Sequence, residues 1–175
     1  QSIEAGVELK FFSNRLGLDA TYYKANTYNQ LMSVPIAYSS GYNSWMKNAG
    51  EMENRGIELH VYANPVQSKS GFNWDIDINW SKNQNEVVAL EDDIESLQIA
   101  SLYDYTLMAF PGKPWGSIYG TTFERNENGE KLVNDNGMPL TTDSSVVLGN
   151  VNPDWLGGIT NTFTYKNYSL SFLVD

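Results

Sequence analysis

The chain has 175 residues, enough for one domain with a sizeable core, and 41% of them are hydrophobic, which excludes a disordered polypeptide. Eleven basic against twenty-one acidic residues give a formal charge of -10, a field that repels a phosphate backbone and argues against nucleic acid as a partner. Cysteine is absent, which excludes a disulfide framework and a thiolate metal site, while a 13% aromatic share favours β structure.

Six segments alternate with period two, the pattern of strands wetted on one face. In the first, Ile3, Ala5, Val7, Leu9 and Phe11 oppose Glu4, Glu8 and Lys10, with Phe12 out of step. In the second, Leu16, Leu18, Ala20 and Tyr22 are set against Asp19, Thr21 and Lys24. Ile57, Leu59, Val61 and Ala63 then oppose Glu58, His60, Tyr62 and Asn64. The fourth is the cleanest: Phe72, Trp74, Ile76, Ile78 and Trp80 lie on one face, and Asn73, Asp75, Asp77, Asn79 and Ser81 on the other. The last two hold Ile159, Phe163 and Tyr165, then Tyr168, Leu170, Phe172 and Val174, with Asn161 and Leu173 breaking the pattern. No apolar run approaches the roughly 18 residues a membrane helix needs, but a barrel strand meets lipid only at every second residue.

Connections alternate between short and long. Ser13-Asn14-Arg15, a turn around Pro65 to Gly71, and Lys166-Asn167 are short; about thirty residues separate strands two and three, and about seventy separate four and five. In an up-and-down sheet this puts all short turns at one end and all long loops at the other, as in outer-membrane barrels. Asn126-Glu127-Asn128-Gly129 and Asp135-Asn136-Gly137 have turn chemistry, and a small hairpin is expected between Gly116–Glu124 and Glu130–Val133. Phe72 and Trp80 are about 26 Å apart along a strand, or about 20 Å of depth once tilted, near the roughly 25 Å apolar band of a barrel. A soluble β-sandwich would alternate in the same way, so pattern alone leaves both architectures open.

Several residue groups invite a catalytic reading. His60 is the single histidine, and with no second His and no Cys it makes no zinc site; a solvated or lumen-facing role explains it. Asp75 and Asp77, two apart on one face, have a spacing that suits a glycosidase pair, yet they belong to a regular hydrophilic strand face. No nucleophile-elbow motif is present, so the expectation is a protein without catalytic residues, metal or cofactor. Glu91-Asp92-Asp93-Ile94-Glu95 reads as a solvated loop, and Asp135-Asn136-Gly137 lacks the spaced ligands of a calcium loop. Tyr42, Trp45, Trp115 and Tyr119 sit in the long connections, where flat rings either stack on a sugar face or pin the loops down.

Particular stretches of sequence then favour the barrel. Asn48-Ala49-Gly50-Glu51-Met52-Glu53-Asn54-Arg55-Gly56-Ile57-Glu58-Leu59 resembles a recurring block of TonB-dependent outer-membrane transporters, most strongly of their SusC/RagA branch. Gly71-Phe72-Asn73-Trp74, then Asn79-Trp80-Ser81-Lys82-Asn83 through Val87-Val88-Ala89-Leu90, are similar to the next strand of that family. Gly112 to Gly120, Leu148 to Gly158 and Asn161 to Ser171 match further blocks in family order over nearly the whole chain.

The resemblance implies an all-β, antiparallel, up-and-down transmembrane barrel segment with long structured extracellular loops. About six strands of a roughly 22-stranded wall are expected, with residues 1–175 as part of one barrel domain and the plug and TonB box outside this chain. It implies nutrient import, of oligosaccharide or peptide, across the outer membrane of a Bacteroidota-like cell, under a SusD-like lipoprotein and powered by the TonB complex. The facing expected is lipid for Phe72, Trp74, Ile76, Ile78 and Trp80, and lumen for Asp75, Asp77, Glu58 and His60. The competing function is a soluble carbohydrate-binding β-sandwich module.

Overall fold

The structure is a computed structural model that describes residues 1–91 and 94–175, with the backbone alone at Ala49. Apart from one 3-10 turn at Tyr38–Ser40, the regular elements among the described residues are strands: β1 (Ser2–Phe11), β2 (Leu16–Pro35), β3 (Ser44–Gln67), β4 (Phe72–Leu90), β5 (Leu97–Leu102), β6 (Tyr105–Ala109), β7 (Ser117–Gly120), β8 (Val146–Asn150), β9 (Leu156–Tyr165) and β10 (Tyr168–Val174). Six of them form one sheet in the order β1-β2-β3-β4-β9-β10, and the other four form a second sheet, β5-β6-β7-β8. The six expected alternating segments all fall in the first sheet and pair in up-and-down order, the long connection between β4 and β9 having folded into the second sheet.

Two compact units divide the chain. The first comprises Gln1–Asn26, Glu53–Gln84 and Pro153–Asp175; the second comprises Thr27–Met52 and Asn85–Asn152. In the first, antiparallel pairing sets residues directly opposite each other on a common face. Trp74 pairs with Phe163, Ile78 with Ile159 and Asp75 with Thr162; on the other side of β9, Phe163 pairs with Leu170 and Thr162 with Ser171. Ile3, Ala5, Val7, Leu9 and Phe11 of β1 likewise meet Lys24, Tyr22, Ala20, Leu18 and Leu16 of β2. Lys24, expected on the polar side, therefore shares the face of Ile3 and Tyr22, because the strand keeps its period of two beyond Tyr22. Phe12 is out of step because it has left the strand and opens the turn in the left-handed region, φ 54.

The first long connection is mostly strand. β2 runs on to Pro35 and β3 begins at Ser44, so the thirty-residue loop shrinks to residues 36–43. Inside β2, Asn29 takes φ 54, and a left-handed residue interrupts the pleat as a bulge does, so no single alternation runs through the segment. β4 also extends past Ser81, to Leu90. The expected hairpin forms only at its tip: Arg125 bridges Lys131, and Leu132 N–H donates to the Glu124 carbonyl at 2.9 Å. Ser117–Gly120 pairs instead with β6 and β8, because the tight Asn126–Gly129 turn brings only its immediate flanks together.

Burial differs sharply between the units. Every buried apolar side chain among the described residues, namely Met32, Val34, Met52, Val87, Leu97 and Ala109, belongs to the second unit, with Leu90, Ile94 and Trp115 packed against them. The first unit has none. Its apolar face leaves Ile3 65%, Leu170 64% and Val174 60% exposed, areas that a packed second sheet would have covered.

Candidate functional site

The hydrophilic face of the first unit is a continuous polar surface built by strand alternation. Glu8 and Lys10 of β1 form an ion pair at 2.7 Å. On β3 and β4, Tyr62 O–H donates to Asp75 Oδ1 at 3.3 Å, and Asn64 Nδ2 donates to the same oxygen at 2.7 Å. His60 Nε2 lies 2.9 Å from Asp77 Oδ1, which also accepts from Asn79 Nδ2 at 3.4 Å. Further along the sheet, Thr162 and Ser171 hydroxyls meet at 3.0 Å. Asp75 and Asp77, the spaced carboxylate pair, are thus each committed to a different neighbour on β3. No group of three metal-ligating side chains occurs among the described residues.

Grooves run along this face. A groove of about 550 Å³ is lined by Asp19, Glu58, His60, Asn79, Ser81 and Asp175, among others, and a second of about 380 Å³ by Glu8, Lys10, Asp19, His60 and Tyr62. Glu58, His60 and Asp77 therefore belong to one wet surface, open to water and rich in groups that can hydrogen-bond a polar solute.

Two residues set how this surface is made. The ring of Tyr23 lies across Gly56, and its hydroxyl donates to Asn83 Oδ1 at 3.0 Å; a Cβ on Gly56 would sit 2.6 Å from the phenol carbon. Glycine is therefore demanded where an aromatic ring crosses a strand. At the turn end, Arg15 Nη2 donates to the carbonyls of Asn64 (2.9 Å) and Pro65 (3.0 Å), tying the β1–β2 turn to the end of β3.

The opposite face is apolar. Phe72, Trp74 and Phe172 each stack on Phe163, with centroids 6.4, 5.6 and 6.1 Å apart, a ladder across β4, β9 and β10. Asn161, which broke the alternation, lies on this face opposite Ile76 and accepts the Trp74 indole N–H at 3.2 Å. Leu173, the other exception, lies on the polar face opposite Thr160, its methyl 3.3 Å from where a Cβ on Gly158 would be. At one end of this face Trp80 and Trp155 both flank Gly157, and at the other stand Tyr165 and Tyr168, so aromatics bound the band on both sides.

The four loop aromatics separate into two kinds. Tyr42 and Trp45 remain 71% and 60% exposed, with Lys47 Nζ 5.3 Å from the Trp45 ring centroid. Trp115 packs against the core of the second unit, its backbone N–H donating to Asn85 Oδ1 at 2.9 Å, and Tyr119 meets Phe110 with centroids 5.3 Å apart. Of the acidic run, Glu91 pairs with Lys47 at 2.6 Å and Ile94 packs on the core; Asp92 and Asp93 lie outside the described residues. Asn126 Oδ1 accepts the N–H groups of Asn128 and Glu130, and Asn134 Oδ1 those of Asn136 and Met138, so both Asn-Gly segments are side-chain-braced turns.

An antiparallel, up-and-down sheet, polar on one face and unburied on an apolar face edged by aromatics, defines an open segment of a transmembrane β-barrel wall. The chain belongs to the TonB dependent receptor-like β-barrel family, whose profile matches residues 1–174. It is 26% identical to TonB-dependent receptor P3 of Formosa agariphila over 98% of this chain and 19% of that protein. It is 28% identical to TonB-dependent receptor SusC of Bacteroides thetaiotaomicron over 96% of this chain and 18% of that protein. Among solved structures, that of the RagAB peptide transporter matches with a TM-score of 0.78 and 23% identity, over 97% of this chain and 20% of that one. The chain thus spans about a fifth of the length of these relatives.

Proposed function

We propose that this chain contributes part of the wall and the extracellular loops of an outer-membrane importer. Phe72, Trp74, Ile76, Ile78 and Trp80 face lipid; Glu58, His60, Asp75 and Asp77 face a watery lumen. The observation that supports this reading is the absence of any buried apolar side chain in the first unit beside an exposed aromatic ladder, since hydrocarbon covers such a face without cost. The same observation counts against the soluble sandwich, which needs a second layer on that face.

The cargo proposed is a polar oligomer, oligosaccharide or peptide, that the hydrogen-bonding inner face tolerates and that Tyr42 and Trp45 meet first with exposed rings. Similarity to SusC, and to a structure described as a peptide transporter, supports this range of cargo. A SusD-like lipoprotein above the loops and the TonB complex below a plug complete the machine in this reading. In this reading Asp75 and Asp77 serve as hydrogen-bonding groups of the polar face, each bonded to a neighbour on β3.

The test is site-directed labelling in the full-length receptor within its membrane. Single cysteines at Trp74 and Ile76 should react with a lipid-soluble probe, and those at Asp75 and Asp77 with a water-soluble maleimide. The reverse pattern would end this reading.

A further inference from the structure

On the proposed lipid-facing side, just past the Trp80 end of the apolar band, the residues change character. Lys24 is on that side because it pairs with Ile3. Arg55 and Glu53 share the face of Ile57, and Lys82 and Gln84 that of Trp80, by the period-two alternation of β3 and β4. The contacts agree: Lys24 Nζ lies 2.8 Å from Glu53 Oε2, Arg55 Nη1 lies 3.7 Å from Glu53 Oε1, and Arg55 Nε donates to Gln84 Oε1 at 3.3 Å. Lys82 is exposed and makes no ion pair among the described residues.

Three neighbouring strands, β2, β3 and β4, thus bring three cations to one level around a single carboxylate, an excess of two positive charges on a chain whose formal charge is -10. Along the same strands, Glu51 stands four residues before Arg55 and Glu86 four residues after Lys82 in the sequence. Lys24 and Asn26 together hold Glu53, with Asn26 Nδ2 donating to Glu53 Oε2 at 3.3 Å. The site is continuous with the exposed apolar band below it, where Trp80 and Trp155 flank Gly157.

We propose that Lys24, Arg55 and Lys82 bind the phosphate of a membrane lipid headgroup, whose acyl chains lie along the apolar face beneath. This rests on the lipid-facing assignment above and deepens it. The chemistry is that of a basic cluster at the edge of an apolar belt: the guanidinium supplies a fork of donors, the two ammonium groups supply point charges, and the acyl chains supply the depth a free phosphate lacks.

The experiment uses the full-length receptor in nanodiscs of zwitterionic phosphatidylcholine, titrated with a bisphosphorylated acylated glucosamine disaccharide and followed by native mass spectrometry. The dephosphorylated lipid, inorganic phosphate alone, a K24Q/R55Q/K82Q variant and a K69Q/K166Q variant at the short-turn end are run in parallel. The expected result is retention of the phosphorylated lipid, with about fivefold weaker binding per cation removed and on the order of a hundredfold in the triple variant. The short-turn variant should bind as the parent does. Equal binding of the dephosphorylated lipid, equal binding of inorganic phosphate alone, or an unchanged triple variant would each overturn the proposal. Lipid-soluble labelling of a cysteine at Ile76 in the same nanodiscs separates the two readings: labelling without lipid binding sinks this proposal alone, whereas no labelling sinks the facing itself.

Discussion

The indole Nε1 of Trp74 donates to Asn161 Oδ1 across β4 and β9, at 3.2 Å, on the apolar face of the sheet. Each polar group there answers the other, so the one asparagine in the band costs little to keep. Asn161→Leu should leave the indole N–H without a partner in hydrocarbon, and Trp74→Phe should do the same to the amide. A double-mutant cycle on urea unfolding in lipid vesicles should return a favourable coupling of about 0.6–1.7 kcal/mol. A coupling of zero would show that the two side chains do not act as a pair.

Gly56 is sterically tied to Tyr23. A methyl group there would meet the phenol ring and the Lys82 carbonyl, so Gly56→Ala should destabilise the receptor by about 1–3 kcal/mol. Removing the ring as well should recover part of that loss. Thermal unfolding of Gly56→Ala, Tyr23→Ala and the double variant decides it: an additive double variant would exclude the contact as the cause.

The two faces of β4 should respond oppositely to charge. Arg at Ile76 or Ile78 should cost roughly 2–4 kcal/mol at mid-depth, measured by unfolding in vesicles. Asp77→Asn should cost much less, because that side chain sits on the polar face beside His60 and Asn79. Equal penalties on both faces would remove the distinction between wall and lumen.

The loop aromatics should separate by role. Trp45→Ala should weaken cargo binding on the order of tenfold, about 1.4 kcal/mol, and leave the melting temperature nearly unchanged, since its ring is exposed. Trp115→Ala should instead loosen the second unit by roughly 2–4 kcal/mol, because the residue packs against that unit's buried cluster. Isothermal titration and calorimetry on both variants make the comparison.

Much of the sheet could be read from the residues. Ten uninterrupted alternations from Phe72 to Ser81 exclude every odd register shift on a half-wet sheet, and β4 pairs with β9 in a register that keeps the two faces apart. What escaped reading has a local cause in each case. Asn29 breaks the pleat of β2, so the strand beyond it is invisible to a period-two search. Lys24 looked polar by type, but its face is set by its opposite number, Ile3. The β5–β8 sheet is built from strands of four to six residues, too short for alternation to stand out from chance. The loop rings could be found by composition, yet which of them is spent on internal packing depends on partners the pattern does not mark, the buried cluster beside Trp115 and Phe110 beside Tyr119. Arg55 and Lys82, the other cations at the band edge, lie just beyond the alternating runs Ile57–Asn64 and Phe72–Ser81.

All buried apolar side chains among the described residues lie in the second unit, leaving the wall that the first unit builds with none. In a barrel, that wall is one layer of a two-layer structure whose other layer is fluid. Bilayer thickness and chain order then enter the protein's stability as directly as a core substitution would, so one sequence is expected to have as many melting points as there are membranes to hold it.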